Sequence, residues 1–436
     1  MDKIKVGIIG FGTVGSGTYK VLTENFQEIK NKTGLSFQVN KIADLNKELV
    51  VEKIGNADLY TDNINEVIEY SDIVVELIGG TTIAREVVEK ALTKKKHVVT
   101  ANKALIALYG KDLFALAEKN NIALMYEAAV AGGIPIIKTI REGLVGNKIS
   151  WVVGILNGTT NYILSEMKNN GLSFETALKQ AQELGYAEAD PTFDIEGIDA
   201  AHKITILASI VFGIPLNFSE TFVEGIRSLD LADVSYAEEL GYRIKLLGIA
   251  KNNNNKIEIR VHPTLIPSSR LIANVDGPMN AILVNGNMVG PTLYYGAGAG
   301  SEATASAVVA DIVDIGRLIH QNVIPLIPNY GFQENSLTHK NIANISEITS
   351  GFYLRIPIRD SSGVLANITK FFASKNISID AMTQKESKSS IDQKTDVLIV
   401  VKLAKESIID EIIKDIQSKE FCLSKIIKIR LELLNK

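Results

Sequence analysis

The stretch Leu184–Lys203, LGYAEADPTFDIEGIDAAHK, crowds the carboxylates Glu188, Asp190, Asp194, Glu196 and Asp199 ahead of a single base, Lys203. A solvated helix would mix in more bases and avoid Pro191. Here Gly185, Pro191 and Gly197 punctuate the run, so it reads as a shaped loop leading into an apolar helix over 198–212. Asp199 and Lys203 are four apart, which places them one turn apart on one face of that helix. The pair is either an ordinary surface ion pair or part of a site. Three further groups can do chemistry. Gly10-Phe11-Gly12-Thr13-Val14-Gly15 is a GxGxxG run, which allows a tight turn, lets backbone approach a pyrophosphate and packs a helix on a strand. Lys103, in Ala101-Asn102-Lys103, falls just past a strand's carboxyl end, where open α/β sheets place ligand-contacting groups. Asn157-Gly158-Thr159-Thr160-Asn161 offers amides and hydroxyls at a helix N-terminus, suited to a small polar substrate.

These groups need elements to hold them. Ile4–Ile9 fits a buried parallel strand, and it feeds the glycine run and then a helical stretch to about Glu28. That strand–loop–helix setting gives GxGxxG its meaning. Phe37–Ala43 is a second strand ending at Asp44, which either hydrogen-bonds an adenosine ribose, favouring NAD, or caps the next helix. Lys47 could instead meet a 2′-phosphate, so NAD and NADP both stay open. Ile73–Ile78 ends in the loop Gly79-Gly80-Thr81-Thr82, followed by a helix over Ala84–Lys94 and a strand His97–Thr100. Ile122–Tyr126 continues the alternation, so this part is an α/β doubly wound parallel sheet. Glu127–Pro135 offers one carboxylate and irregular carbonyls, which suit a hard cation, or it is a hinge. Beyond it an α+β domain is expected, with strands Ile149–Leu156, Lys256–His262, Asn280–Val284 and Asn287–Tyr294, the last two a hairpin at Gly286. The glycine run in Tyr295–Ser301 lets backbone approach a ligand or a helix closely, ahead of a helix over Ala303–Arg317. The open face of that sheet is also a candidate dimerisation surface.

Composition narrows the classes. With 436 residues, 46% of them hydrophobic, two to four folded domains are expected. The net charge of −4 and the absence of a basic stripe interleaved with aromatics argue against a nucleic-acid partner. The single cysteine, Cys422, excludes a disulfide framework and a thiolate cluster. His97, His202, His262, His320 and His339 are scattered, without metal-ligand spacing. No signal-peptide core and no bilayer-length apolar run occur, so the expectation is a soluble, cytoplasmic protein with no membrane partner.

GFGTVGSG (10–17), VELIGGTT (75–82), VVTANKALIA (98–107), EAAVAGGIPI (127–136), GILNGTTNYIL (154–164), GYAEADPTFDIEGIDAAHK (185–203) and YGAGAGSEATASAVV (295–309) follow in this order, and together they resemble homoserine dehydrogenase. The resemblance implies NAD(P)H-dependent reduction of L-aspartate 4-semialdehyde to L-homoserine, in threonine, methionine and isoleucine biosynthesis. It gives Lys203 as proton donor, Lys103 as a second lysine near the nicotinamide and Asp199 as the partner that orients Lys203. It assigns Glu188, Asp194 and Asp199, with Thr159 and Tyr186, to substrate binding. Cofactor contacts fall on Gly10, Phe11, Gly12, Thr13, Val14, Gly15, Asp44, Gly79, Gly80, Thr100, Lys103, Gly185 and Gly300. Glu127, with backbone groups of Val130, Gly132 and Ile134, matches the family's sodium site. Ala43 stands where an arginine is common, which puts NADP preference in doubt, and Ala297 replaces a usual proline. The chemistry agrees: hydride attack builds charge on an aldehyde oxygen that needs a placed proton or cation, and clustered carboxylates suit a substrate ammonium. A 2-hydroxy acid dehydrogenase would need a histidine–acid pair, and aspartate-semialdehyde dehydrogenase a cysteine nucleophile, neither of which is placed here. A non-catalytic amino-acid sensor is disfavoured by the two lysines.

The expected division is a Rossmann nucleotide domain over 1–135 completed by 301–330, a substrate and dimerisation domain over 136–300, a polar linker over 331–350, and a last domain over 351–436. That last domain reads βαββαβ, a ferredoxin-like order, from strands Phe352–Ile358, Ile377–Thr383, Thr395–Leu403 and Lys425–Leu433 and helices Val364–Ser374 and Lys405–Ser418. Asp360-Ser-Ser-Gly363-Val-Leu-Ala366 and Asn376-Ile-Ser-Ile379 resemble the ACT domain, with Ser362 where proline is common. This implies a monofunctional homoserine dehydrogenase, a homodimer or homotetramer, with threonine as effector at Asp360, Gly363, Val364, Leu365, Asn376 and Ile377. The alternative is an ACT fold kept for assembly alone.

Overall fold

The computed structural model describes residues 3–253, 256–338, 340–385 and 394–434, so His339 lies outside the described residues. Contacts divide the chain into two compact units: Met1–Gly158 with Asp199–Thr221 and Pro278–Lys340, and Thr159–Ile198 with Phe222–Gly277 and Asn341–Lys436.

In the first unit, β1 (Ile4–Ile9), β2 (Phe37–Ala43), β3 (Tyr60–Thr61), β4 (Ile73–Glu76), β5 (His97–Thr100) and β6 (Leu124–Met125) form a parallel sheet in the order β3-β2-β1-β4-β5-β6. The order reverses between β1 and β4, and such a switch opens a crevice beyond the carboxyl ends of the strands. Helices α1 (Thr13–Glu24), α2 (Phe26–Thr33), α3 (Lys47–Ile54), α4 (Ile64–Tyr70), α5 (Thr82–Thr93) and α6 (Lys103–Lys119) alternate with the strands. Helix α13 (Ser301–Gln321) returns from far along the chain, and its Val308, Ile312 and Ile315 share a buried cluster with Ile4, Val6, Ile8 and Phe37. Burial of such side chains stabilises by about 1.5–3 kcal/mol each, so α13 belongs to the core of this sheet.

The same unit holds an antiparallel set in which β11 (Met279–Gly286) pairs with β7 (Ile149–Ile155) and β12 (Gly290–Ala297). The hairpin expected at Gly286 forms, but its turn occupies Asn287–Val289, so β12 starts later than the sequence reading and absorbs part of the glycine run. Helix α7 (Ile136–Lys138) is short, whereas α11 (Ile198–Phe212) is buried at every residue after Ile198. A helix apolar on all sides is an interior helix, and any charge on it must find a partner.

The second unit carries α8 (Gly158–Asn170), α9 (Phe174–Glu183), α10 (Thr192–Ile195) and α12 (Leu231–Glu239). A long antiparallel pair, β9 (Tyr242–Asn253) and β10 (Lys256–Pro267), is its spine. The sequence reading missed β9 and stopped β10 at His262. One edge of β10 takes three parallel partners in turn: β13 (Asn341–Ile342) at Lys256–Ile257, β8 (Phe222–Val223) at Arg260–Val261, and β17 (Ile427–Leu431) at Thr264–Leu265. The polar 331–350 stretch, read as a linker, thus contributes β13 and the first residues of β14 (Thr349–Arg359). After β14 come α14 (Val364–Ser374), β15 (Ala381–Gln384), β16 (Lys394–Lys405), α15 (Glu406–Gln417) and β17, with strand order β17-β14-β16-β15. The alternate residues Phe352, Leu354, Ile356 and Ile358 of β14 meet Ile368 and Phe372 of α14 and Ile409 and Ile412 of α15 in one apolar cluster. β15 is shorter than the Ile377–Thr383 expected for it.

Candidate active site

Gly10 turns β1 into α1 with φ +94°, and a Cβ there would lie 2.6 Å from the Leu77 backbone. At Gly15 a Cβ would meet the Gly10 carbonyl oxygen at 2.1 Å. Gly12, the residue ahead of α1, has open space where its side chain would be, so an anion can approach the first backbone amides of Thr13 and Val14. Phe11 is buried, and its backbone amide donates to Asp44 Oδ2 at 2.5 Å. Asn46 N donates to Asp44 Oδ1 at 2.8 Å, while Asn46 itself caps α3 by accepting from Leu49 N at 3.0 Å. Of the two sequence readings for Asp44, the helix cap is therefore taken by its neighbour. Asp44 lines a groove of about 560 Å³ with Gly10, Gly12, Ala43 and Tyr60.

Across the switch point, Gly79 and Gly80 both have positive φ, +80° and +67°. The loop they make is tied down from two sides. Glu76, fully buried at the end of β4, accepts from Thr100 Oγ1 at 2.6 Å and from Ile78 N at 2.8 Å. Asn102 Nδ2 donates to the Gly80 carbonyl at 2.6 Å, Asn102 N donates to Thr100 Oγ1 at 3.0 Å, and Asn102 Oδ1 caps α6 through Leu105 N. Burial pushes the Glu76 carboxyl above its ordinary range, against these hydrogen bonds. The result is a hydrogen-bonded platform on which Lys103 opens α6.

Lys103 and Lys203 converge on one carboxylate. Lys103 Nζ lies 2.7 Å from Asp199 Oδ1, and Lys203 Nζ lies 2.8 Å from Asp199 Oδ2. Lys203 also donates to the Leu156 carbonyl at 2.7 Å, and Asn157 Nδ2 donates to Asp199 Oδ2 at 2.9 Å. Asp199 is 3% exposed and Lys203 8%. Burial drives the Asp199 carboxyl up, but the charges of Lys203 and Lys103 and their hydrogen bonds outweigh it and hold it well below the carboxylate range. Together the three side chains bear one negative and two positive charges, a field that favours negative charge arising beside them. Next to Lys203, His202 packs on Phe218 with ring centroids 4.3 Å apart. Burial and the two lysine charges, opposed by Asp199, hold the His202 imidazole down at about 4.

The Glu127 segment is built differently. Glu127 is 1% exposed, and its two oxygens accept from Ile137 N and Lys138 N, each at 2.8 Å. Burial, with Asp311 alongside, pushes its carboxyl up to about 7. Ala131 and Gly132 then adopt φ +58° and +49°, and a Cβ on Gly132 would lie 2.6 Å from the Gly298 carbonyl oxygen. Against Gly298 packs Asn280, 1% exposed; neither polar atom of its amide finds a hydrogen-bond partner among the described residues. A buried carboxylate whose charge is disfavoured by burial, and an orphaned buried amide beside the Ala131–Gly132 turn, fit a hard monovalent cation. Among the described residues no cluster of three or more histidine, cysteine or carboxylate side chains could hold a metal, so such an ion would rest on backbone oxygens and Glu127.

Residues 10–127 match the family Homoserine dehydrogenase, NAD binding domain, and residues 135–313 match Homoserine dehydrogenase. The homoserine dehydrogenase of Neisseria gonorrhoeae is 49% identical, with 100% of each chain covered. The chain belongs to the homoserine dehydrogenase family. Consistent with that, the crystal structure of a homoserine dehydrogenase from Thiobacillus denitrificans has a TM-score of 0.95 at 51% identity, covering 100% of this chain and 99% of that one. A hyperthermophilic archaeal homoserine dehydrogenase in complex with NADPH has a TM-score of 0.61 at 29% identity, covering 72% of this chain and 98% of that one. As a homoserine dehydrogenase, the protein is an oxidoreductase that takes a nicotinamide cofactor. No helix among the described residues is long and apolar enough to cross a membrane.

The remaining residues suggested by the homoserine dehydrogenase resemblance fall in several places. Gly300 (φ +120°) precedes α13 in the first unit. Thr159, Gly185, Tyr186, Glu188 and Asp194 lie in the second unit. There the Thr159 hydroxyl donates to the Tyr186 carbonyl, tying the Gly-Thr-Thr segment to the acidic run. Tyr186 packs on Tyr162 with the rings tilted by 55° and their centroids 5.0 Å apart, and Gly185 turns with φ +74°. Glu188 is exposed, and Asp194 is half-buried on α10, a helical turn inside what read as loop. In the C-terminal segment, Asp360 Oδ1 accepts from Gln384 Nε2 at 3.0 Å, and Gly363 (φ +85°) leads into α14. Val364, Leu365 and Ile377 belong to or pack on the apolar cluster there, and Asn376 takes φ +57°. Sequence reasoning missed Glu76 and Asn280, and gave Asn102 and Asn157 only as members of their motifs, without the roles they take here. For Glu76 the available signal was a carboxylate closing an apolar strand just before Gly79-Gly80; for Asn280 the sequence gives no signal.

Proposed function

We propose that the protein reduces L-aspartate 4-semialdehyde to L-homoserine with Lys203 as proton donor. The observation that carries this is the Asp199 carboxylate shared by Lys103 and Lys203 at 2.7 and 2.8 Å. The nicotinamide, when bound, supplies the hydride. As negative charge develops on the aldehyde oxygen, Lys203 gives it a proton and Lys103 adds a second cation, while Asp199 keeps both in place and charged. Glu188 and Asp194 are assigned the substrate ammonium, with Tyr186 near them in sequence and Thr159 hydrogen-bonded to the Tyr186 carbonyl. Gly10 to Gly15, Asp44, Gly79, Gly80, Thr100 and Lys103 would hold the dinucleotide, and the resemblance adds Gly185 and Gly300. The NADPH complex of the archaeal relative supports that class of cofactor.

Glu127 with the backbone of Val130, Gly132 and Ile134 would hold a sodium ion, which would balance the buried carboxylate. The assigned roles are nucleotide binding for 1–135 with 301–330, substrate binding and dimerisation for 136–300, and regulation for 351–436. The βαββαβ order of the last segment supports reading it as a ferredoxin-like ACT domain that senses threonine at Asp360, Gly363, Val364, Leu365, Asn376 and Ile377, in a homodimer or homotetramer. The test is to mix the protein with homoserine and NAD or NADP and follow nicotinamide reduction. Turnover with either supports the reading, and none with both overturns it.

A further inference from the structure

We propose that the nucleotide groove rejects a 2′-phosphate, so that the protein binds NAD(H) in preference to NADP(H), with Asp44 and Asp62 as the discriminating residues. The proposal rests on the dinucleotide reading of the glycine loop and deepens it. The Asp44 carboxylate is aimed by two backbone donors, Phe11 N at 2.5 Å and Asn46 N at 2.8 Å. Each oxygen keeps a lone pair, so the pair can also accept from vicinal ribose hydroxyls. A phosphate monoester is mostly dianionic at neutral pH, so it has little to donate and brings about −1.5 to −2 charge to the same place.

The rest of the groove does not compensate. Asp62 is a second carboxylate on its wall, and none of the residues that line it is cationic. Ala43, at the end of β2, offers only a methyl group. The lysines of the flanking elements are engaged elsewhere: Lys41 Nζ donates to the Asp58 carbonyl at 3.1 Å and Lys53 Nζ to Ser16 Oγ at 3.1 Å. Lys47, the residue the sequence offered for a 2′-phosphate, holds its ammonium 5.6 Å from the Tyr60 ring centroid and does not line the groove. Discrimination here comes from repulsion of the wrong ligand as much as from attraction of the right one.

The test is calorimetric titration of the full chain with NAD⁺ and NADP⁺ at one ionic strength. NAD⁺ should bind at least about tenfold tighter. In the double variant Asp44→Asn, Asp62→Asn the ratio of the two Kd values should fall to within about threefold of one. A merely structural role would weaken both ligands alike and leave the ratio unchanged, which would overturn the assignment. If the double variant lacks native circular dichroism, Asp62→Asn alone decides, with the same direction expected. Lys47→Ala should leave the ratio as it is, and a tenfold rise would place the phosphate at Lys47 and overturn the proposal. Equal or tighter binding of NADP⁺ by the unaltered chain overturns this proposal alone. Binding of neither dinucleotide overturns the reading beneath it as well.

Discussion

Asp199 and Lys203 form a buried ion pair at 2.8 Å, one turn apart on α11, and the other oxygen of the same carboxylate reaches Lys103 at 2.7 Å. The arrangement fixes two ammoniums with one anion. Removing the anion leaves a buried lysine charge without its counter-ion, which costs about 3–5 kcal/mol or drives the lysine neutral. Asp199→Asn should therefore lower kcat by about 10²–10³-fold. It should also lower the urea midpoint of unfolding. Near-normal turnover in steady-state kinetics would show that the carboxylate does not support the reaction.

Two groups of this cluster should weaken the fold in acid, each over its own range. The folded His202 imidazole is held at about 4, below its ordinary 6.5, by burial and the neighbouring lysines, against Asp199. As pH falls from about 6.5 the unfolded chain takes a proton that the folded chain refuses, so the His202 contribution drops across roughly pH 6.5 to 4, by an amount on the order of 2 kcal/mol, while Glu127 and Asp311, whose folded carboxyls are raised to about 7 and 6, act in the opposite sense over the same range. Asp199 acts lower. Its folded pKa lies well below its ordinary value, so its contribution is complete above about 4 and is lost as pH falls further. Thermal midpoints against pH should show the lower limb directly, and the midpoint of the parent minus that of His202→Gln should fall across roughly pH 6.5 to 4. A midpoint difference that does not change with pH would remove His202 from the account.

Much of this site could be read from residue order. The spacing of Asp199 and Lys203 gave their shared face, and the strand-end position gave Lys103. That Lys103 meets Asp199 could not be read, because the contact is made by folding between distant segments. Glu76 was passed over since a carboxylate at a strand end usually points to water, whereas here it is fully buried and bridges Thr100 and Ile78. β9 was missed because Arg243, Lys245 and Lys251 break its apolar pattern; Lys245 is 2% exposed and donates to Asn161 Oδ1 and to the Val275 carbonyl. The polar composition of 331–350 hid β13, because a strand of two residues paired at Lys256–Ile257 is too short to show an alternating pattern.

A cation at Glu127 should be visible in stability. An ion that binds the folded chain raises the midpoint by mass action, about 1.4 kcal/mol at ten times its Kd. Sodium chloride should therefore raise the thermal midpoint over choline chloride at equal ionic strength, and Glu127→Gln should abolish the difference. Equal midpoints in the two salts for the unaltered chain would speak against the site.

Threonine control is better tested by substitution than by cutting the chain after Ser350. β17 pairs with β10, and Arg260, 1% exposed, lies 2.5 Å from Glu432, so truncation would strip a strand and leave a buried guanidinium short of a partner. Asn376→Ala and Asp360→Ala should each raise the threonine concentration for half-inhibition at least about tenfold, with kcat within about twofold of the parent. Unchanged inhibition in both would move the effector site elsewhere, and a parent enzyme indifferent to threonine would leave the C-terminal segment an assembly module.

The most direct measurement is the kcat of Lys203→Ala for homoserine oxidation, alongside its dinucleotide affinity. Loss of the positioned proton carrier should lower kcat by about 10³-fold or more, while the Kd for the dinucleotide stays within about twofold of the parent. Turnover within a few-fold of the parent would contradict the assignment of Lys203 and, with it, the mechanism built on the shared Asp199 carboxylate.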